Sequence, residues 1–235
     1  MLQKSGAKKR RDALPDASQF VWVRSGGRKM PATENMVPGN RVYKERLVLQ
    51  GGIEYRTWDP FRSKLSAAIM NGLGEISISN MDRVLYLGAS TGTTLSHISD
   101  IVGPGGAVFG VDHSSRVARD FMDRVVAYRS NVIPVMQDAR RPDEYFAVSG
   151  RMDAVYADIS QPDQTQIAIK NCKMFLKKGG AFFLVVKVRS INAQKSVKKV
   201  VAEEADRLSD FEILHTIDLM PYHKEHAMII ASLLS

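Results

Sequence analysis

The spacing of apolar residues changes at about Trp58. Beyond it, short and nearly continuous apolar runs alternate with amphipathic stretches of helical period, which predicts strands and helices in turn. The predicted strands are 83–88, 107–112, 131–136, 152–158, 181–188, 211–219 and 226–234. The predicted helices lie near 93–102, 114–129, 162–178 and 193–209. Buried strands separated by helices indicate an α/β fold with a largely parallel sheet that is covered on both faces.

The last two predicted strands have no helix between them. Only the short segment from Met220 to Glu225, which contains Pro221, joins them, and this predicts a hairpin. A hairpin makes the final strand antiparallel to its neighbour. We therefore expect a seven-stranded, mostly parallel sheet with an antiparallel last strand.

The region before Trp58 has a different pattern. Short runs that alternate in part between apolar and polar residues flank Gly26-Gly27 and Gly51-Gly52, and such glycine pairs predict tight turns between strands. After these strands, Asp59-Pro60 favours a helix entry and Gly72 a helix end. The predicted parts are a basic, flexible N-terminus (1–17), a small β-rich subdomain (18–57) and an α/β domain (58–235).

The composition narrows the function classes. Of the 235 residues, 44% are hydrophobic, so the chain can form a packed core and global disorder is not expected. The only cysteine, Cys172, excludes a disulfide framework and a multi-cysteine metal site, and we expect no metal. No apolar run reaches membrane-spanning length and the start has no apolar signal core, so neither a membrane partner nor secretion is expected.

The charge balance points to a polyanionic partner. Lys and Arg number 33 against 25 Asp and Glu, which gives a formal net charge of +8 and favours nucleic acid over a neutral ligand. The basic run from Lys8 to Arg11 has two interpretations that the sequence leaves open. It is either an arm that contacts RNA or directs nuclear import, or a solvated terminus.

Polar residues follow the ends of four predicted strands, where ligands of open α/β sheets bind. The first strand ends at Gly88 in a G-x-x-x-G turn, which differs from the G-x-G-x-x-G of dinucleotide folds. The next three lead to Asp112, Asp138 and Asp158. Each carboxylate alone is typical of a helix cap or loop, but three on one rim favour a cation or a polyhydroxyl ligand. S-adenosylmethionine, with its ribose and sulfonium, has this chemistry.

A lysine ends the most apolar predicted strand. Lys187 follows Phe182 to Val186, where an ammonium group is costly to bury unless it meets a carboxylate. Asp158 ends a predicted neighbouring strand, so the sequence indicates a Lys187–Asp158 pair, the alternative being a lysine that extends into solvent. The local sequence pattern alone favours an exposed helix position for Lys64 and a position at the start of a strand for His226.

Several long segments resemble the fibrillarin family, the 2′-O-methyltransferases of box C/D ribonucleoproteins. The similarity runs from about Asn35 to the C-terminus. The segments are YRTWDPFRSKLSAAI (55–69), VLYLGASTGTTLSHISDIVGPGG (84–106), QDAR (137–140), ADISQPDQ (157–164) and PYHKEHAMII (221–230). The resemblance implies a class I, Rossmann-like methyltransferase fold that uses S-adenosylmethionine.

The resemblance also implies roles for individual residues. It implies a catalytic set of Lys64, Asp158, Lys187 and His226. The implied cofactor contacts are Thr93, Thr94, Asp112, His113, Asp138, Ala139, Asp158 and Gln161, beside the glycine turn at Gly88. Where members of the family often have Glu and an aromatic residue, this chain has Asp112-His113, so we expect the adenine to pack on an imidazole.

The implied setting is a particle that acts on RNA. The expected partners are a box C/D guide RNA, target rRNA, a Nop-type scaffold protein and a kink-turn-binding protein. A role in pre-rRNA processing and a location in the nucleus and nucleolus follow from the resemblance, or in the cytoplasm if the source is archaeal. The alternatives are a nicotinamide-dependent oxidoreductase, a non-catalytic particle component, and methylation of a protein glutamine as a side activity.

Overall fold

The computed structural model describes residues 19–234, in which two β-sheets pack through a shared layer of helices. The first sheet is antiparallel, with the order β1-β2-β4-β3. Its strands are β1 (Val21–Ser25), β2 (Arg28–Glu34), β3 (Leu47–Gln50) and β4 (Ile53–Thr57). Gly26-Gly27 and Gly51-Gly52 turn the chain with positive φ, as tight hairpins require. Both predicted turns are therefore confirmed.

The second sheet has seven strands in the order β10-β11-β9-β8-β5-β6-β7. The strands are β5 (Arg83–Leu87), β6 (Ala107–Val111), β7 (Val132–Val135), β8 (Met152–Ala157), β9 (Leu176–Lys187), β10 (Phe211–Asp218) and β11 (His226–Leu233). Strands β5 to β9 pair in parallel, whereas β11 lies between β9 and β10 and is antiparallel to both. The predicted parallel sheet with an antiparallel last strand is confirmed.

Helices cover both faces of the second sheet. They are α1 (Lys64–Met70), α2 (Thr93–Val102), α3 (Ser115–Arg124), α4 (Phe146–Ser149), α5 (Gln164–Phe175), α6 (Val188–Ile191) and α7 (Val197–Asp206). Tyr86 of β5 points into the core beneath α1, α2 and α3. Its neighbour Leu87 points into the opposite core beneath α5 and α7. Alternate residues of one strand thus serve two cores, which explains why its sequence is apolar throughout.

The predicted helix entry at Asp59-Pro60 is wrong by four residues. Asp59 instead forms a turn in which its carbonyl accepts from the backbone N–H groups of Arg62 and Ser63. The helix α1 begins at Lys64 because the Ser63 side chain accepts from the N–H of Ser66 and acts as its N-cap. This places Lys64 at the first position of the helix.

The ends of three other helices also differ from the prediction. The helix predicted over 162–178 ends at Phe175, because Leu176 is extended and pairs with Met152 of β8. The helix predicted over 193–209 is shorter and corresponds to α7, which begins at Val197 because Ser196 is its N-cap and ends at Asp206. The helix predicted over 114–129 ends at Arg124, and a 3₁₀ turn, Val126–Tyr128, follows it. The short turns between 142 and 149 were not predicted.

A buried ionic network joins the first sheet to α2. The Arg56 guanidinium of β4 is fully buried and pairs with Glu45 at 2.6 Å and with Asp100 of α2 at 2.7 Å. Asp100 also pairs with Arg129 at 2.5 Å. Each charge faces an opposite one, as burial demands. The first sheet is thereby fixed to the helix whose N-terminus faces the candidate site.

Two predictions have no structural counterpart. The basic run from Lys8 to Arg11 and the expected flexible N-terminus, 1–17, lie outside the described residues. Within residues 19–234, no helix is long and apolar enough to cross a membrane.

Candidate active site

A cleft of about 690 Å³ lies at the carboxyl ends of the parallel strands. This is the edge at which open α/β sheets bind ligands. Most of the predicted site residues line the cleft. They are Lys64, Gly88, Thr93, Thr94, Asp112, His113, Asp138, Ala139, Asp158, Gln161 and Lys187. The sequence prediction therefore placed these residues in one site, although they come from six segments of the chain.

Two glycines shape the loop from β5 to α2. A Cβ on Gly88 would lie 2.7 Å from the carbonyl oxygen of Asp158, and Gly88 has a φ of +83°. A Cβ on Gly92, the N-cap of α2, would lie 2.6 Å from Val125. Only glycine fits at either position. The tight turn directs the N-terminus of α2, where Thr93 and Thr94 lie, into the cleft with unpaired N–H groups that suit an anion.

Asp112 connects the loops that follow β5 and β6. Its Oδ2 accepts from the N–H of Ser90 at 2.8 Å, and its Oδ1 accepts from the N–H of Ser114 at 2.9 Å. Ser90 has a φ of +50°, an unusual conformation for a non-glycine residue that this bond helps to hold. Each carboxylate oxygen has a second lone pair, so both remain available to accept from hydroxyl groups of a ligand. Asp112 thus serves as a loop cap and as a wall of the cleft.

Asp138 lies on the far wall of the cleft and pairs with an arginine that the sequence analysis did not select. Arg140 donates to its carboxylate from Nε at 2.9 Å and from Nη2 at 2.5 Å. The Arg140 guanidinium lowers the pKa of Asp138 to about 2. His113 is exposed beside it, and Asn171 of α5 donates to the Ala139 carbonyl at 2.8 Å. Asp138 is therefore ionised over the whole physiological pH range, and Arg140 balances its charge.

Two lysines converge on Asp158 at the opposite end of the cleft. Lys64 Nζ donates to Asp158 Oδ2 at 2.8 Å, and Lys187 Nζ lies 2.7 Å from Oδ1. Lys187 Nζ also donates to the Asp158 carbonyl at 2.9 Å and to Ser160 Oγ at 2.8 Å. The predicted Lys187–Asp158 pair is present, because β8 and β9 are neighbours. The side chains of all three charged residues are less than one-fifth exposed.

The three charges shift one another's pKa. Burial raises the pKa of Asp158, but the Lys64 and Lys187 ammonium groups outweigh it, and the pKa lies below its ordinary value. Burial and the Lys64 charge lower the pKa of Lys187, and Asp158 opposes them only in part. Asp158 is therefore held ionised, while the Lys187 amine loses its proton more readily than a solvated lysine.

His226 lies next to this group but is not among the residues that line the cleft. It is the first residue of β11 and lies directly across from Lys187 in the antiparallel pair. Its Nδ1 is 2.7 Å from the Lys224 carbonyl, and its ring makes an edge-to-face contact with His223. Burial, followed by the charges of Lys64 and Lys187, lowers the pKa of His226 despite the Lys224 carbonyl. At neutral pH this imidazole is uncharged.

Ser63 is a site residue that the sequence analysis missed. Its Oγ accepts from Trp58 Nε1 at 2.8 Å and lies 2.9 Å from Thr94 Oγ1. One hydroxyl thus connects the N-terminus of α1, which carries Lys64, to the N-terminus of α2. A serine before a helical run is a recognisable cap signal, but its contact with Thr94 depends on the packing of two helices.

The comparisons with known proteins agree on one family. The fibrillarin family model matches residues 16–234. A relative, the fibrillarin-like rRNA/tRNA 2′-O-methyltransferase of Pyrobaculum aerophilum, is 47% identical over 215 residues, which cover 90% of this chain and 92% of the relative.

Three solved structures extend this agreement to the fold. The fibrillarin pre-rRNA processing protein of Methanococcus jannaschii superimposes with a TM-score of 0.87 at 37% identity, covering 97% of this chain and 99% of that one. The fibrillarin of Aeropyrum pernix with natively bound S-adenosylmethionine gives 0.81 at 40% identity, with coverages of 91% and 99%. A fibrillarin from a fibrillarin/Nop5p complex gives 0.78 at 35% identity, with coverages of 87% and 94%. The class I methyltransferase fold is confirmed, and the chain belongs to the fibrillarin family.

Proposed function

We propose that this chain transfers a methyl group from S-adenosylmethionine to a ribose 2′-oxygen of RNA, as the catalytic subunit of a guide-directed box C/D ribonucleoprotein. The observation that carries the proposal is the Lys64–Asp158–Lys187 group at one end of a cleft that the carboxylates of Asp112 and Asp138 also line. The relatives support it, since they are named rRNA/tRNA 2′-O-methyltransferases and one solved fibrillarin binds S-adenosylmethionine.

The donors and acceptors of the cleft fit this cofactor. Asp112 has lone pairs for ribose hydroxyls, and the carboxylate of Asp138 can accept from an adenine amine. The exposed His113 ring lies beside Asp138 and offers a flat surface to the adenine. The free N–H groups at the start of α2 suit the carboxylate, and Asp158 is an anion near the sulfonium. Gly88, Ala139 and Gln161 complete the walls.

When bound, the cofactor supplies an electrophilic methyl group on a sulfonium that leaves as a neutral thioether. The protein must then place a ribose 2′-oxygen in line with it and remove the proton of that hydroxyl. Lys187 is the candidate base, because burial and Lys64 lower the pKa of its amine. Asp158 orients the Lys187 amine and stabilises the ammonium that forms when it accepts the proton.

The other two members of the set have supporting roles in this proposal. Lys64 keeps its bond to Asp158 and presents positive charge to the phosphate next to the reacting ribose. His226 is held uncharged next to Lys187, so it can form a hydrogen bond with the ribose without adding to the positive charge. A 2′-hydroxyl also distinguishes RNA from DNA, which fits a site that has to recognise that group.

Sequence selection is proposed to come from a guide RNA. The described surface has basic residues but no aromatic RNP stripe like that of an RRM, so it can hold phosphates without reading bases. The fibrillarin/Nop5p complex supports a Nop-type scaffold as a partner. The kink-turn-binding protein, the role in pre-rRNA processing, the nucleolar location and the glutamine side activity stay predictions.

The test is reconstitution with a guide RNA, a Nop-type scaffold and a kink-turn-binding protein, followed by mapping of 2′-O-methyl sites. Lys187→Ala should abolish methylation but keep the melting shift with S-adenosylhomocysteine. Lys178→Ala is the control, since Lys178 is exposed at the other end of β9. A melting shift with NADH alone would favour an oxidoreductase, and cofactor binding without any methylation would favour a non-catalytic component.

A further inference from the structure

One side of the cleft carries an aromatic side chain that the proposed chemistry does not use. Phe61 lines the cleft, yet it is 61% exposed, whereas Phe121, Phe175, Phe182 and Phe183 are buried. Its ring makes an edge-to-face contact with Tyr222, with centroids 5.1 Å apart and an angle of 75°. We call this pair the aromatic ledge.

The ledge is held in place by the backbone on both sides. The N–H of Phe61 donates to Asp59 Oδ1 at 2.9 Å, within the turn that precedes α1. The ring of Tyr222 packs against the core, and Asn71, the C-cap of α1, donates to the Met220 carbonyl at 2.7 Å, which fixes the β10–β11 loop to the end of α1. The exposure of Phe61 therefore belongs to a defined surface.

The ledge comes from other segments of the chain than the proposed cofactor contacts. Those contacts follow β5, β6, β7 and β8, whereas Phe61 lies in the turn before α1, three residues before the Lys64 that donates to Asp158. Arg62 follows Phe61 in the chain and lines the cleft, with its guanidinium 5.4 Å from the centre of the Tyr43 ring, and Lys224 lies two residues after Tyr222. Both side chains are exposed, and neither forms an ion pair within residues 19–234. Positive charges beside an open aromatic face match a nucleotide, whose phosphate and base need these two kinds of contact.

We propose that the aromatic ledge is a substrate subsite, in which the Phe61 ring stacks on a nucleobase adjacent to the methylated ribose. This inference rests on the proposed function, because it takes the substrate to be RNA. Stacking needs no particular base, since every base has a π-face. The ledge thus positions the target nucleotide in the cleft, while the choice of target stays with the guide RNA.

The test compares Phe61→Ala, Phe61→Leu and Phe61→Trp in the reconstituted particle. Removal of a base–aromatic stack is expected to raise the KM for RNA, or to slow single-turnover methylation, about tenfold or more. Phe61→Trp should restore the wild-type value, and Phe61→Leu should not, because leucine is apolar but has no π-face. Phe146→Ala is the matched control, since Phe146 is 51% exposed and does not line the cleft.

Substrates with an abasic site on either side of the target nucleotide identify the contact. On the correct side, the missing base should slow the wild-type particle as Phe61→Ala does, and the two changes together should cost no more than one. If the effects of Phe61→Ala and of the abasic site were additive for both positions of the abasic site, the inference would be overturned. A Phe61→Ala particle as fast as the wild type, or one whose only defect is weaker S-adenosylhomocysteine binding, would also overturn it. A wild-type particle that methylates nothing would instead refute the proposed function.

Discussion

At Lys187, burial and charge act on the pKa of one amine, and the net effect is a pKa below the ordinary lysine value. A base must be deprotonated before it can accept a proton, so the methylation rate should rise about tenfold per pH unit below this pKa and then level off. Lys187→Arg keeps the charge but cannot release its proton, and it should lower the rate by at least about 100-fold.

The measurement is single-turnover methylation by the reconstituted particle between pH 6 and pH 10. Lys178→Arg, at the exposed end of the same strand, controls for the change of side chain. If Lys187→Arg retained most of the wild-type rate with the same pH profile, Lys187 would act through its charge alone, and the base would have to be sought elsewhere.

Asp112 both caps the loops after β5 and β6 and lines the cleft. The isosteric change to asparagine should therefore have a larger effect here than at an exposed aspartate outside the cleft. Asp112→Asn turns one oxygen into an NH₂ group that cannot accept from the N–H of Ser90 or Ser114. The loop from β5 to α2 should loosen, and affinity for S-adenosylhomocysteine should fall about tenfold or more in calorimetric titration. Asp120→Asn on α3 should leave affinity unchanged. Equal affinities for all three proteins would show that the cofactor does not use this wall.

At the scale of elements, Ser63 tests how α1 is held. Ser63→Ala removes the N-cap of α1, which costs about 1 kcal/mol, and leaves the buried N–H of Trp58 without its acceptor, which costs about 1–3 kcal/mol more. Ser196→Ala is the matched control, because Ser196 caps α7 away from the cleft. Urea denaturation should show a larger loss of stability for Ser63→Ala, and only this variant should also slow methylation. Equal losses of stability in both variants would mean that Ser63 acts only as a helix cap.

Contacts between neighbouring strands of the sheet follow from the sequence pattern, whereas contacts of the helices and of the first sheet do not. The Lys187–Asp158 pair was predictable, because apolar strands joined by helices fix which strands are neighbours. The contact of Lys64 with Asp158 was not, since it depends on how α1 packs on the sheet, and only the family resemblance indicated it. Arg56 was missed for another reason: an arginine within a strand normally indicates a solvent-facing position, yet here it is fully buried among carboxylates.

At the scale of the whole molecule, the contact between the first sheet and α2 contains several buried polar side chains. His97 of α2 is fully buried, stacks on Trp58 at 4.6 Å, and lies within hydrogen-bond distance of Thr33 and Tyr43. The Thr33 hydroxyl donates to Asp100, so its oxygen must accept from Nδ1–H of His97. Because burial lowers the pKa of His97, the ring is neutral, and its Nε2 accepts from the Tyr43 hydroxyl at 2.7 Å, a shorter contact than the 3.1 Å from that hydroxyl to the Thr57 carbonyl.

This neutral histidine makes stability depend on pH. Burial, with the charges of Arg56 and Arg129, holds the pKa of His97 well below 6.5, its value in the unfolded chain. Below pH 6.5 the unfolded state therefore binds a proton that the folded state does not, so this part of the stability is complete above pH 6.5 and is lost as the pH falls. The expected loss of stability between pH 7.5 and pH 5.5 is about 1.4 kcal/mol.

Urea denaturation of His97→Gln should show a correspondingly flatter pH dependence of stability, while His215→Gln, at an exposed position of β10, should match the wild type. The same slope in all three proteins would mean that His97 can be protonated in place, and that the contact between the first sheet and α2 tolerates a cation beside Arg56 and Arg129.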